Sequence, residues 1–207
     1  MARGASARST ATTAVLFDAT RTCLENEGPE VSIHRIAEVS GVSVGGIYYH
    51  YPSRSALLAA TGVDCFAQFA AWAHSELDAV DDPALRVSIF GRRFTRMPDT
   101  HHSYAVTIWH TQRFIWSDEH RSSEEGYLET DVREGIARGQ FAADLVPARI
   151  SAAIGMMLHF LSLRLLNPRL PAKDGDDLVE VALIALGADA GAARDLAHRR
   201  LPRRPAL

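Results

Sequence analysis

The segment spanning residues 31–58 concentrates hydrogen-bonding side chains around a pair of glycines. Gly45 and Gly46 stand in a stretch with helical spacing, where each costs roughly 1 kcal/mol relative to alanine. Such a cost is tolerable where the backbone must approach another surface closely. Hydroxyl groups and helix N-termini are good phosphate ligands, and the polar residues near the glycines are Ser32, Ser43, Tyr48, Tyr49 and His50. The alternative interpretation is a loop at the glycines with the tyrosines in a core, since tyrosine is often half-buried.

Two short helices are predicted to position these side chains. Ser32 and Ser43 are good N-cap residues, and each is flanked by apolar residues at the spacing of a hydrophobic staple. Only residues 40–42 separate the helices, so Gly41 must form a tight turn, for which it can take a positive φ. Pro52 ends the second helix by disfavouring helical geometry at the residue before it. Helix, short glycine turn and helix form the pattern of a helix-turn-helix.

The rest of the chain is also predicted to be helical. A first helix runs to Gly28, with apolar or small residues at intervals of three and four. Further helices are expected to begin near Ser53, Asp82, Thr100, Ser122, Pro147 and Asp176. With the two short helices this makes nine, followed by an arginine-rich tail that contains Arg199, Arg200, Arg203 and Arg204. The sequence therefore predicts an all-α fold.

Composition restricts the class of protein. The chain has 207 residues, 47% of them hydrophobic, and a formal net charge of −3, which excludes disordered, collagen-like and rod-like proteins. Cys23 and Cys65 are the two cysteines and have no metal-binding spacing, so a reducing cytoplasm is expected. We expect no signal peptide and no membrane span. The longest apolar stretch, residues 150–166, contains His159 and Arg164 and is interpreted as a buried helix.

Neither metal binding nor catalysis has a supporting pattern. The histidines of the C-terminal part of the chain include His101, His102, His110, His120 and His159. No pair of them has i, i+4 spacing with an acidic partner, so we expect no metal site. Serine, histidine and aspartate occur without a nucleophile elbow or a glycine-rich phosphate loop. We therefore expect neither an enzyme nor a bound cofactor.

Small, capping and aromatic residues follow one another in a fixed register over residues 16–58: Gly28, Ser32, Ile36-Ala37, residues 40–43, Gly45, Tyr48, His50-Tyr51, Ser53-Arg54 and Leu57. In this register the segment closely resembles the N-terminal domain of the TetR family of transcriptional regulators. In that family a three-helix domain binds DNA as part of a dimer, and the rest of the chain binds an effector. The resemblance implies a helix-turn-helix domain with its N-terminal arm over residues 1–58. Residues 59–207 would then bind the effector and form the dimer.

The resemblance also implies roles for individual residues. The DNA-binding residues would be Ser32, Ser43, Val44, Gly45, Gly46, Tyr48, Tyr49, His50 and Arg54. Of these, Val44 and the two glycines would face base edges, and the others would contact phosphates. The small core of the domain would contain Ile36, Ala37, Val42, Ile47 and Tyr51.

The charge of this segment departs from the family pattern. Position 44, frequently lysine in the family, is valine, and residues 1–60 contain no lysine. Five arginines balance five acidic residues there, so affinity from counterion release should be modest. Val44 could contact a thymine methyl group, and Arg3 and Arg8 in the N-terminal arm could reach a neighbouring groove.

Two sets of residues in the C-terminal part are predicted to bind partners. By the family resemblance, the last two long helices would pair with those of a second copy through Ala152, Gly155, Leu158, Leu161, Leu165, Val181 and Ile184. Aromatic and methionine side chains would line an apolar effector pocket, and they are Phe90, Phe94, Met97, Tyr104, Trp109, Phe114, Tyr127 and Met157. Burial inside the monomer is the alternative for both sets.

These patterns support two hypotheses about function. The first is a cytoplasmic, ligand-responsive repressor that binds a palindromic DNA operator as a homodimer and is released by a small hydrophobic effector. The second is a helical small-molecule-binding or interaction protein with impaired DNA binding, suggested by Val44 and by the neutral N-terminal domain.

Overall fold

The computed structural model describes residues 2–75, 77, 79–115 and 126–202, with side chains described for residues 10–75, 77, 79–113 and 126–202. Every regular element among them is an α-helix, which confirms the predicted fold class. The helices are α1 (Ala2–Glu27), α2 (Ile33–Ser40), α3 (Val44–His50), α4 (Arg54–Ser75), α5 (Pro83–Thr95), α6 (Met97–Thr100), α7 (His102–Ile115), α8 (Tyr127–Ala137), α9 (Val146–Leu166), α10 (Ala172–Ala185) and α11 (Ala190–His198).

The described part of the chain thus has eleven helices where the sequence predicted nine. The four-residue helix α6 was not expected, and the last predicted helix is divided into α10 and α11. Gly187 separates these two with a φ of +95°, and Asp189 then caps α11 by accepting hydrogen bonds from two backbone amides. The expected helix start at Ser122, with Trp116, His120, Arg203 and Arg204, lies outside the described residues.

The chain divides into two compact units, one of residues 1–68 and 101–121 and the other of residues 69–100 and 122–207. The first unit contains α1, α2, α3, the start of α4, and α7. The core enclosed by α1, α2 and α3, called here the three-helix core, also takes in side chains from the loop before α2 and from the start of α4. Its buried apolar residues are Leu16, Cys23, Leu24, Val31, Ile33, Ile36, Ile47, Leu57 and Leu58. Ala37, Val42 and Tyr51 pack against this core, so the predicted core set is confirmed.

Capping side chains and glycines fix the ends of the short helices in the first unit. The hydroxyl of Ser32 accepts a hydrogen bond from the Arg35 amide at 3.2 Å, and Ser53 accepts one from the Ala56 amide at 3.1 Å. Gly28 and Gly41 end α1 and α2 with φ values of +80° and +69°. Because left-handed backbone costs other residues about 1–2 kcal/mol, glycine suits both positions.

Polar contacts join α1, α4 and α7 within the first unit. Arg21 forms an ion pair with Asp18 at 2.6 Å, and its guanidinium lies 5.0 Å from the centre of the Tyr104 ring. The Tyr104 hydroxyl donates to Gln68 Oε1 at 2.9 Å. Burial raises the pKa of the neighbouring Cys65 thiol to about 11, so this cysteine stays protonated near neutral pH.

The second unit is built around α10, which packs against α5, α9 and α11. Charged groups are buried together there: Asp176 accepts hydrogen bonds from Arg92 and Arg96, both at 2.7 Å. Burial alone raises the pKa of this carboxyl, but the hydrogen bonds from the two guanidinium groups outweigh it and lower the pKa of Asp176. The buried charges are therefore compensated within the unit.

Two helices, α4 and α9, are long and apolar enough to cross a membrane by length and composition alone. Core helices of folded proteins meet the same criterion. Half of the apolar stretch of α4 is buried, whereas only 17% of that of α9 is buried. Most residues of the apolar stretch of α9 are therefore exposed or half-buried.

Candidate nucleic-acid interface

The start of α3 is fixed by a side chain outside the helix. Ser43 adopts an extended conformation, and its hydroxyl accepts a hydrogen bond from the Gly46 amide at 3.1 Å. Ile47, one turn further, is fully buried in the three-helix core. The cap and this anchor together leave the outer side of the first turn of α3 at the surface.

The two glycines of this turn have different surroundings. A Cβ atom at Gly45 would meet nothing within 4 Å, so packing within the chain gives no reason for glycine at this position. A Cβ atom at Gly46 would lie 3.1 Å from Val42 Cγ1 and 3.2 Å from Ser43 Oγ. Gly46 therefore makes room for the capping serine, and Gly45 leaves the outer surface of the helix flat.

The aromatic side chains that follow lie at the surface. Tyr49 is 87% exposed and Tyr48 is 48% exposed, which is unusual for large aromatic residues. The His50 ring stands edge-on to Tyr49, with 5.3 Å between ring centroids, and lies 6.5 Å from the buried-side neighbour Tyr51. Exposed phenol and imidazole groups beside a free helix turn can donate hydrogen bonds to phosphate oxygens.

Val44 and Ser32 are only partly as expected. Val44 is half-buried and packs against the three-helix core, so only part of its side chain faces outward. Ser32 is exposed, and its hydroxyl caps α2. His34 is also exposed in the first turn of α2 and is not among the predicted DNA-binding residues.

Arg54, which the resemblance implies as a phosphate contact, forms hydrogen bonds within the chain. Its Nε donates to the carbonyl oxygen of Val31 at 2.6 Å, and its Nη2 donates to the carbonyl oxygen of Pro29. The side chain is half-buried between the start of α4 and the loop before α2. No local sequence pattern signals this contact, because the acceptors are backbone atoms more than twenty residues earlier in the chain.

The other arginines whose side chains are described in residues 10–60 are also engaged. Arg21 pairs with Asp18. Arg35 pairs with Glu27 at 2.7 Å and with Glu38 at 2.8 Å, and hydrogen bonds to these two carboxylates raise the pKa of its guanidinium. The side chains of Arg3 and Arg8 lie outside the described residues. The described surface around α3 therefore offers hydroxyl and imidazole donors rather than free cations.

The residues predicted to line an effector pocket are divided between the two units. Phe90, Phe94, Met97, Tyr127 and Met157 belong to the second unit; Tyr104, Trp109 and Phe114 belong to the first, where the side chain of Phe114 is outside the described residues. The pocket as a whole stays a prediction.

Within the second unit, most of the predicted pocket residues share neighbours. Phe90 and Phe94 both stand edge-on to Phe69, with ring centroids 5.9 and 6.0 Å away. His74 lies between Phe90 and the half-exposed ring of Tyr127, stacked on the latter at 4.0 Å. Its imidazole is 3.7 Å from a carboxylate oxygen of Asp131. An aromatic cluster with a polar edge therefore exists there.

Within the first unit, Trp109 stacks on His110 with 4.7 Å between ring centroids. The two residues border an open groove of about 510 Å3 together with Pro29, Gln112 and Arg113. Burial lowers the pKa of His110, which favours the neutral imidazole.

The residues predicted to pair with a second copy are mostly accessible. Ala152 and Gly155 are exposed on α9, and Leu158 and Leu165 are half-buried. Val181 and Ile184 on α10 are 52% and 42% exposed. Leu161 is the exception, because it is fully buried within its own unit and has no surface to offer. The exposed apolar surface also includes Leu163 and Leu166, which the prediction omitted.

Comparison with known proteins places the N-terminal segment in a family. Residues 16–61 match the family described as bacterial regulatory proteins, tetR family, which confirms the resemblance seen in the sequence. No curated protein matches the sequence of the chain.

Several solved structures are similar over most of the chain. RolR in complex with resorcinol has a TM-score of 0.72 at 20% identity, covering 96% of this chain and 98% of RolR. A TetR family transcription regulator from Marinobacter aquaeolei VT8 has a TM-score of 0.67 at 16% identity, covering 88% and 98%. FadR from Bacillus subtilis in complex with stearoyl-CoA has a TM-score of 0.62 at 15% identity, covering 83% and 97%. At these identities the likeness shows a shared fold.

The two glycines of α3 provide a matched pair of substitutions. We expect Gly45→Ala to raise the free energy of unfolding by about 0.5–1 kcal/mol, because alanine is the better helix former and the new methyl group meets nothing. The same methyl group should weaken DNA binding by holding the helix away from the groove. Thermal denaturation and fluorescence anisotropy with a duplex would measure the two effects.

Gly46→Ala is the control for this pair. Its methyl group would crowd the capping hydroxyl of Ser43, so the stability gained at Gly45 should be absent or smaller here. If Gly45→Ala bound DNA as tightly as the unchanged protein, close approach at Gly45 would be excluded.

Proposed function

We propose that the chain, whose residues 16–61 match the tetR family of bacterial regulatory proteins, is a cytoplasmic repressor controlled by a small hydrophobic ligand. In this proposal, residues 1–58 bind a palindromic operator, and residues 59–207 bind the effector and a second copy of the chain. Its activity is binding rather than catalysis.

The exposed surface of α3 is the observation that carries the proposal. It combines a flat backbone at Gly45 with exposed donors at Tyr48 and Tyr49, while Ile47 anchors the helix in the core. A helix presented in this way can enter a major groove, which is wide enough to admit one α-helix. The phenol groups would then contact the flanking phosphates.

The engaged arginines favour a second candidate function. With Arg21, Arg35 and Arg54 bound within the chain, little of the sequence-independent attraction to phosphate is available from the described side chains. A helical ligand-binding or interaction protein that has lost DNA binding would show the same arrangement. The two candidates differ in whether the protein selects a DNA sequence.

Selection of bound duplexes from a random pool separates the two candidates. We expect an enriched inverted repeat with half-site centres about 34–36 Å apart or a multiple of this distance, because two recognition helices must enter the groove on one face of the duplex. A pool without enrichment at low ionic strength would favour the second candidate. The same selection with the Gly45→Ala variant is the control. Any duplex that this variant still enriches is retained by contacts that do not depend on α3.

Self-association is proposed from the exposed apolar surface of α9 and α10. Val181, Ile184 and Leu166 are large apolar residues of which 42–69% is exposed. Ala152 and Gly155 lie on α9, where a methyl group and the absence of a side chain permit close approach of another helix. Burying these surfaces against their copies would remove them from water at about 25 cal/mol per Å2.

Gly155→Glu tests the dimer without disturbing the monomer. A Cβ atom at Gly155 meets nothing within 4 Å, so glutamate is tolerated in the folded chain, but it would place an unpaired carboxylate in the proposed interface. Light scattering at micromolar concentration should report about twice 22.6 kDa for the unchanged protein, and half that mass for Gly155→Glu. Lys173→Glu, a charge change at an exposed position of α10, should leave the dimer intact. A dimeric Gly155→Glu would contradict the proposed interface.

An effector is proposed from the aromatic cluster of the second unit and from the two ligand complexes among the similar structures. Phe90, Phe94 and Met157 supply apolar surface, and His74 and Asp131 supply polar groups at its edge. A ligand that spreads this cluster would act on α4, which contributes His74 from its last turn. Since α4 begins next to the helix-turn-helix, its displacement would move the recognition helices of a dimer apart.

Reciprocal coupling tests this control. The first probes are resorcinol and stearoyl-CoA, together with any small molecule found by mass spectrometry on the purified protein. A ligand that weakens operator binding must bind the DNA-bound protein more weakly by the same factor, typically 5–150-fold. Calorimetric titration with and without the selected duplex measures this factor. Equal affinity in both titrations would exclude control of DNA binding by that ligand, even if it occupies the second unit.

A further inference from the structure

Arg54 makes two hydrogen bonds at a place where the backbone has few others. Its guanidinium donates through Nε to the carbonyl oxygen of Val31 and through Nη2 to that of Pro29. Both acceptors lie in the loop of residues 28–32, which joins α1 to α2. Within this loop the Val31 amide makes a long bond of 3.4 Å to the Gly28 carbonyl. The loop of residues 28–32 therefore has few backbone hydrogen bonds of its own, and Arg54 adds two.

The loop determines where the helix-turn-helix begins. Val31 is buried in the three-helix core, and Ser32 next to it caps α2. The turn between α2 and α3 is short and has Gly41 in a fixed left-handed conformation. Because these connections are short, a shift of residues 29–31 would be passed to α2 and then to the exposed first turn of α3.

We propose that Arg54 is a positioning residue for DNA recognition, which acts by clamping the loop of residues 28–32 to the start of α4 and not by binding phosphate. This inference rests on the proposed DNA-binding function. The guanidinium group suits the role because its planar set of donors can reach two carbonyl oxygens at once, whereas a lysine ammonium acts from a single point.

A positioning role and a phosphate contact for Arg54 predict different effects on the salt dependence of DNA binding. A side chain that neutralises a phosphate contributes about 0.9 to the slope of log K against log salt concentration for each contact. A side chain that only positions the helix changes the affinity but leaves this slope unaltered. Lysine keeps the charge at position 54 and loses the paired donation, and methionine loses both.

The test compares Arg54→Lys and Arg54→Met with the unchanged full-length protein. Binding to the selected duplex is measured at several salt concentrations. We expect both variants to bind about tenfold or more weakly, since two hydrogen bonds from a charged group are lost or impaired, and to keep the slope of the unchanged protein. Full affinity in Arg54→Lys, with a slope reduced by about 0.9 per half-site in Arg54→Met, would show a phosphate contact and overturn the proposal.

Hydrogen exchange without DNA provides a second readout that does not depend on the duplex. Amides of residues 31–36 should exchange faster in Arg54→Lys, while those of α5 and α10 keep their protection and show that the chain remains folded. Unchanged exchange at residues 31–36 would overturn the clamp. If the unchanged protein bound no duplex, the proposed function would fail, and the exchange result would still decide whether Arg54 holds the loop.

Discussion

The placement of the recognition helix depends on a pair of hydrogen bonds that originate outside the helix-turn-helix. Arg54, at the start of α4, donates to the carbonyl oxygens of Pro29 and Val31, and these precede α2. Backbone carbonyls in a loop are obligatory acceptors, so a charged donor that satisfies two of them also fixes the loop. The caps at Ser32 and Ser43 fix the starts of α2 and α3, so the position of the loop determines where the first turn of α3 lies. In the proposed function, one side chain of the following helix thus helps to position the surface that binds DNA.

Local devices could be predicted from the sequence, and long-range contacts could not. The bounds of α2 and α3 follow from serine caps, a glycine turn and a proline, all within a few residues of the ends they determine. The difference between Gly45 and Gly46 lies in what an added Cβ atom would contact at each position. The sequence does not show this, because it depends on the folded turn. Arg54 stands at the start of α4, and its hydrogen-bond acceptors are backbone carbonyl groups. Every residue has such a group, so the sequence does not indicate which ones Arg54 contacts. The short helix α6 offers too few residues to show a period, and Gly187 divides an otherwise continuous pattern.

Arginine side chains in the N-terminal domain form ion pairs within the chain, which leaves less positive charge available for binding phosphate. Arg21 supports α1 through Asp18 and the face of Tyr104, and Arg35 joins α1 to α2 through Glu27. Exposed ion pairs of this kind contribute little stability, typically below 1 kcal/mol, but each neutralises a cation that could otherwise attract phosphate. Sequence choice would then depend on shape and on neutral donors, which act at short range. A flat turn at Gly45 matters more under these conditions, because weak donors must come close to be effective.

The exposed apolar surface of α9 is best explained by a partner outside the single chain. Length and composition alone would allow α9 to cross a membrane, but its two faces are not equivalent in the second unit. Ala153, Phe160 and Leu161 are buried, and Arg164 is buried as well, bound to Asp99 and to the Leu170 carbonyl. A helix with a buried arginine on one face and exposed leucines on the other fits a site between two folded chains better than a bilayer, where that charge would be costly. The exposed side chains of α10, Val181 and Ile184, extend this apolar surface on a neighbouring helix. Two adjacent helices with apolar outer faces can both be covered by the same pair of helices from a second copy, which is the arrangement a closed two-fold dimer requires.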